Sequence, residues 1–141
     1  MRGHLPLSLL TAVGVQILCQ LFKVALYSVR DRRLSLSWFV SAGGMPSAHS
    51  ALVTALAVSV GLWNGFASDL FAVSGVFSLI TIYDAWRLRG AVEHHARILA
   101  RLAPTEDVNQ RLGHSLPEIA AGVAAGGGLA AVAWLLLRAH A

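Results

Sequence analysis

Charge is the commodity this sequence has least of. Of its 141 residues, 13% are Asp, Glu, Lys or Arg and 56% are hydrophobic. A soluble domain carries about 25% charged residues, so a chain with half that share cannot cover a water-facing surface. Much of its surface is expected to face lipid. Lysine is nearly missing, Lys23 being the only one. A nucleic-acid-binding face spreads Lys and Arg over solvated surface; here the basic residues gather in two patches, 23–33 and 87–111, so no nucleic-acid partner is expected. Cys19 is the sole cysteine, which excludes an intrachain disulfide. Leu18 stands where a lipoprotein acylation site needs a small residue. The start, Met1-Arg2-Gly3-His4 and then an apolar run, has the outline of a secretory signal. No small-x-small cleavage site follows, and the run continues past Lys23 to Val29, as suits an uncleaved spanning helix.

What the sequence does have is apolar length. Residues 5–29 are interrupted only by Gln16, Gln20 and Lys23, three or four apart and so on one helical face. The segment is long enough to cross a bilayer, which takes about 20 residues, and its polar face is expected to point into the protein. Arg30-Asp31-Arg32-Arg33 marks an interface, and residues 35–42 read as a loop or short re-entrant piece. Gly43-Gly44-Met45-Pro46-Ser47 reads as a turn that opens a helix, with Ser47 as its N-cap. A second, short span is expected over 47–63 and a tight turn at Asn64-Gly65. A third span follows over 66–86, with Asp69 and Asp84 near its ends. Residues 87–111 form the one extended polar stretch; within it 92–102 has helical periodicity and the makings of an interfacial helix. The last span is expected over 116–137, with Gly122 and Gly126 at the small-x-x-x-small spacing of close helix pairs. Trp38, Trp63, Trp86 and Trp134 fit an aromatic belt near the interfaces. The fold class is therefore an all-α integral membrane protein: one membrane domain over 1–141, about four transmembrane helices and a short interfacial helix.

Four alternating spans put the end of the first, the start of the second, the end of the third and the start of the fourth on one side. Those ends carry Lys23, His49, Asp84, Arg89, His114 and Glu118. The same side holds most of the arginines, against Arg2 and Arg138 opposite. By the positive-inside rule it is cytoplasmic, which places the protein in a cell inner membrane with its polar site facing the cytoplasm.

Such residues suit phosphate-ester chemistry. A phosphomonoester needs cations for its oxygens, a nucleophile in line and an acid for the leaving group. Arg and Lys meet the first need. A neutral histidine can attack phosphorus, a protonated one can serve the leaving oxygen, and a carboxylate can fix the nucleophile's tautomer. His114 and Glu118 are four apart and share a face if helical, with Pro117 tolerated only in a first turn. His49 lies in the first turn of a helix whose free N–H groups attract phosphate. Plainer roles exist for each: an interfacial histidine, a surface His–Glu pair, Asp84 tied to Arg87 or Arg89, and headgroup anchors at Arg30, Arg32, Arg33, Arg97 and Arg101. Adjacent His94-His95 would face different sides of a helix, and no zinc-like spacing is present, so neither metal nor cofactor is expected.

Gly43-Gly44-Met45-Pro46-Ser47-Ala48-His49-Ser50-Ala51 resembles the GGMPSSHSA stretch of the divergent phosphatidic-acid-phosphatase family, related to acid phosphatases and vanadium haloperoxidases. Gln20-Leu21-Phe22-Lys23 resembles that family's Gln-x-x-Lys. Tyr83-Asp84-Ala85 with Leu88-Arg89 is similar to its Asp-Ala-x-Gly-Val-Arg-Arg, and Leu112-Gly113-His114 through Glu118 and Gly122 to its Leu-Gly-His-Thr-x-x-Glu-Val-x-x-Gly. The resemblance implies His49 as general acid, His114 as nucleophile and Glu118 as its orienter. It implies phosphate binding by Lys23, Arg89 and Ser47, with Asp84 beside them. Departures are Ala48 for a superfamily glycine, Glu118 for its aspartate, and Val108 for an arginine, leaving Arg111 or Arg89 to substitute. Arg87 and Gly90 also depart from the divergent family's own pattern.

The function expected is a metal-independent phosphatase acting on a membrane lipid phosphate, either a polyprenyl phosphate or diphosphate or a glycerophospholipid phosphate, through a phosphohistidine. The alternative is a non-catalytic membrane protein of the same fold that binds anionic lipid or a partner helix. A small transporter subunit would carry more polar groups at mid-membrane than Gln16 and Gln20. Four spans bury little surface, which leaves room for a homodimer.

Overall fold

The computed structural model describes residues 6–34, 39, 43–103 and 114–139. Among them there is helix and no strand. Helix α1 runs over Leu7–Asp31, α2 over Ala48–Asn64, α3 over Asp69–Tyr83, α4 over Arg89–Leu102 and α5 over Leu116–Arg138, with a π-helical turn at Asp84–Leu88. The stretch Asp69–Leu102, α1 and α5 are long and apolar enough to cross a membrane, and α2 is a shorter apolar helix.

The shortest helix is the central one. At 1.5 Å per residue the 17-residue α2 is about 25 Å long, less than the ~30 Å hydrocarbon core. It is shielded along one face and partly covered elsewhere, because α1, α3 and α5 all pack against it. Ala48, Ser50, Ala51, Val53, Ala55, Ala57, Ser59 and Gly61 are buried. Small side chains let three neighbours approach one rod. On α5, Gly122 and Gly126 complete the fit. A Cβ on Gly122 would press into the Ser47 carbonyl and lie 3.1 Å from the Ser50 Cβ; one on Gly126 would lie 2.9 Å from the Ala51 Cα. The small-x-x-x-small pair thus serves packing within the chain.

The inward stripe of α1 is Ala12, Val15, Cys19 and Lys23, spaced three or four apart. This is the side on which its polar residues were expected. Helix α3 buries only Ser74 and Ser78. The Ser78 hydroxyl lies 2.7 Å from the Val53 carbonyl of α2 and 2.7 Å from the Ser74 carbonyl, a polar link between helices where lipid offers none.

Two boundaries differ from the sequence reading. Residues 66–68 belong to the turn after Gly65, whose φ of +91° suits glycine. Ser68 then caps α3, its hydroxyl accepting from the Phe71 N–H at 3.2 Å, and Asp69 sits in the first turn, where the helix dipole favours an anion. At the other end the helix does not stop at Trp86. It continues through the π turn into α4, and the helix expected over 92–102 is the outer part of that rod.

Candidate active site

The turn before α2 is pinned from three directions. The Lys23 ammonium donates to the Gly43 carbonyl at 3.1 Å. The Met45 N–H donates to the Tyr27 hydroxyl at 3.3 Å, and the Ser47 N–H to the Glu118 carbonyl at 3.0 Å. Gly44 has φ +88°, a left-handed backbone that glycine adopts freely. Ser47 then starts α2 as its N-cap, its hydroxyl accepting from the Ser50 N–H at 3.3 Å and from the Ser50 hydroxyl at 3.0 Å. This places His49 in the first turn of α2, half-buried.

His114 is placed by the start of α5. Ser115 is the N-cap and Glu118 the N3 residue, a capping-box arrangement with Pro117 in the first turn. Glu118 Oε2 accepts from the Ser115 N–H at 2.9 Å. The same oxygen lies 3.3 Å from His114 Nδ1, so a hydrogen bond there puts the ring proton on Nδ1 and leaves the Nε2 lone pair free. The His114 side chain is 1% exposed, and its Nε2 is buried without a hydrogen-bond partner among the described residues. Burial holds this imidazole below its ordinary pKa. The bond to Glu118 and its charge pull it part of the way back, while Lys23 and Arg89 push it down. A neutral ring at neutral pH follows.

The remaining cation comes from the π turn. There the Arg89 N–H reaches the Asp84 carbonyl. Such i→i+5 bonding brings residues five apart to one side of the helix, so Arg89 Nε meets Asp84 Oδ2 at 3.1 Å. Of the two partners foreseen for Asp84, the structure selects Arg89. Arg87 instead lies over the Trp86 ring, 5.4 Å from its centroid. Arg89, His114 and Lys23 lie near enough to His49 for their charges to act on its ring. Glu118 likewise acts on Lys23. Residues from four separate stretches therefore form one electrostatic cluster.

Beside this cluster is an open cavity of about 730 Å³. Gly43, Gly44, His114, Ser115 and Glu118 form one wall, Tyr27, Arg30 and Asp31 at the end of α1 another. The third wall is α4, with Gly90, Glu93, His94 and Arg97. Glu93 and Arg97 pair with each other. Sequence reading left this wall out, although positions 90, 93, 94 and 97 have the spacing of one helical face. It also left out Tyr27. Of the residues expected at the phosphate, Lys23 and Ser47 are both 0% exposed and hold the 43–47 turn and the start of α2; neither they nor Asp84, Arg89 and the expected acid His49 are on the cavity wall. Arg111 lies outside the described residues. Among the described residues no three of His, Cys, Asp and Glu group to hold a metal.

The arrangement offers an oriented, neutral imidazole with a free nitrogen, a second imidazole nearby, buried and half-buried cations, and a cavity large enough for a headgroup. A family described as Divergent PAP2 matches residues 6–129. A protein of Bacillus subtilis (strain 168), named uncharacterized membrane protein YuiD, is 42% identical over 94 residues, which are 67% of this chain. That alignment spans 60% of the Bacillus protein. No solved structure matches.

Proposed function

The chain belongs to the divergent PAP2 family, and from that premise we propose that it is a metal-independent phosphatase of a membrane lipid phosphate. The observation that carries the reading is His114, held on Glu118 through Nδ1 with a buried Nε2 that has no hydrogen-bond partner among the described residues. A histidine kept neutral and oriented in this way is a nucleophile in waiting. Its Nε2 attacks phosphorus, the P–O bond to the lipid alcohol breaks, and protonated His49 gives its proton to the departing oxygen. Water, losing a proton to the now neutral His49, then attacks the phosphohistidine; the P–N bond breaks and orthophosphate leaves. Lys23 and Arg89 supply positive potential to the transferring group. Because Lys23 is buried against Gly43 and Arg89 is paired with Asp84, the first acts through the field and the turn it holds. The second would trade its carboxylate partner for phosphate.

The commitment of both cations to protein partners also favours a second reading, in which the fold binds anionic lipid and turns nothing over. We place the site on the cytoplasmic side of a cell membrane. Arg30, Arg32, Arg33, Arg97 and Arg101 lie at the site end of the helices and Arg138 at the other, the pattern of the positive-inside rule. Phosphate release from polyprenyl and glycerophospholipid phosphates, measured with chelator present, tests the catalytic reading. Turnover by the parent protein with a loss of about 10²–10⁴ in His49→Ala and at least that in His114→Ala supports it. Full turnover in both variants, or lipid binding with no release by the parent, rejects it.

A further inference from the structure

A second cavity lies on the lipid side of the same turn. Its volume is about 610 Å³, and it is a groove between α1 and α5 with almost wholly apolar walls. Phe22 lines it from α1, Ala121, Ala125 and Leu129 line it from α5, and Met45 and Pro46 of the turn complete the lining. From Ala121 to Leu129 is eight residues, about 12 Å along a helix, or most of the ~15 Å depth of one leaflet's hydrocarbon. Phe22 is 56% and Met45 45% exposed, so the groove opens sideways to lipid.

The groove and the polar cavity are joined by one short piece of chain. Gly43 and Gly44 line the polar cavity, and the next two residues, Met45 and Pro46, line the groove. A molecule with a charged head in the first and a hydrocarbon tail in the second would straddle this turn at the end of the helices. Resting on the catalytic reading above, we propose that the α1–α5 groove receives a hydrocarbon chain of the lipid phosphate, with the Met45-Pro46 edge fixing how far the head stands from His114. The protein then selects substrates that carry a long apolar chain. The half-buried alanines are what leave the space: a larger side chain at Ala121 or Ala125 takes the position of the tail.

The test compares dioleoyl phosphatidic acid with the short-chain dibutyryl form, in detergent, for the parent, Ala125→Phe and Ala121→Leu. Filling the groove should lower kcat/KM for the dioleoyl substrate by about tenfold or more and leave the dibutyryl substrate within about twofold, the latter also reporting a folded site. A fall of equal size for both substrates, or for neither, overturns the proposal and leaves the groove to bulk lipid or a second copy of the chain. Photocrosslinking of phosphatidic acid with a diazirine on its tail gives a readout independent of turnover. Adducts should map to α1 and α5 and disappear in Ala125→Phe; adducts spread equally over α3 overturn the proposal. If the parent releases phosphate from neither substrate, the catalytic reading fails, while the adduct map still reports on the groove.

Discussion

Glu118 is the residue whose replacement separates charge from geometry. Its Oε2 serves both the Ser115 N–H and His114 Nδ1. A glutamine there can keep both bonds with its single carbonyl oxygen, so the tautomer and ring orientation survive and only the negative charge is lost. Charge-assisted hydrogen bonds contribute about 1.5–3 kcal/mol against about 0.5–1.5 for neutral ones. The difference, about 1–1.5 kcal/mol in support of the ring as it gains positive charge, is close to a tenfold loss in kcat. Glu118→Ala removes the acceptor altogether. Nδ1 is then unheld, the Ser115 N–H loses its partner, and kcat should fall by about 10²-fold or more, with about 1 kcal/mol of helix-cap stability lost as well. Steady-state phosphate release and thermal unfolding in the same detergent measure the two effects separately. Equal losses in Gln and Ala, or kcat unchanged in Ala, would refute the orienting role.

The pH profile follows from the same pair. Burial lowers the His114 pKa, so the neutral ring persists as pH falls, and the acid limb of kcat/KM should lie below the ordinary imidazole value of about 6.5. Because Glu118 raises that pKa, Glu118→Gln should move the limb to still lower pH; a limb moving upward contradicts the assigned interaction. Gly126→Val should cost about 1–3 kcal/mol in unfolding free energy by overpacking α5 on the Ala51 backbone, whereas Gly128→Ala, with open space around it, should be nearly neutral; equal thermal shifts would contradict this packing. Lys23→Met should leave the buried Gly43 carbonyl without its donor, at about 1–3 kcal/mol, and reduce turnover; full stability and full activity together would show the pin to be unimportant.

Much of the fold was legible because a bilayer asks for apolar length and little else. The inward face of α1 was marked by Gln16, Gln20 and Lys23, the start of α2 by Ser47, and close packing of α5 by Gly122 and Gly126. The continuity from α3 into α4 was hidden. Composition turns polar after Trp86, but helical hydrogen bonds do not depend on what surrounds them, and residues 91–102 are rich in good helix formers. The π turn has no sequence signature, so the choice between Arg87 and Arg89 as the partner of Asp84 was made only in three dimensions. Within the site, the i, i+4 spacing announced His114 with Glu118. Lys23 was read as a free phosphate ligand because its true partner, the carbonyl of Gly43 twenty residues away, is backbone and leaves no mark on the sequence. The α4 wall was missed because charged positions there served equally well as headgroup anchors.

On the catalytic reading, His114 carries the phosphoryl group. Rapid quenching of the parent protein in alkali during turnover of a radiolabelled lipid phosphate, followed by peptide mapping, tests it most directly. An acid-labile, base-stable phosphate on His114 that is absent from His114→Ala is the predicted result. Undiminished turnover with no label on His114, or label that persists elsewhere in His114→Ala, would contradict it.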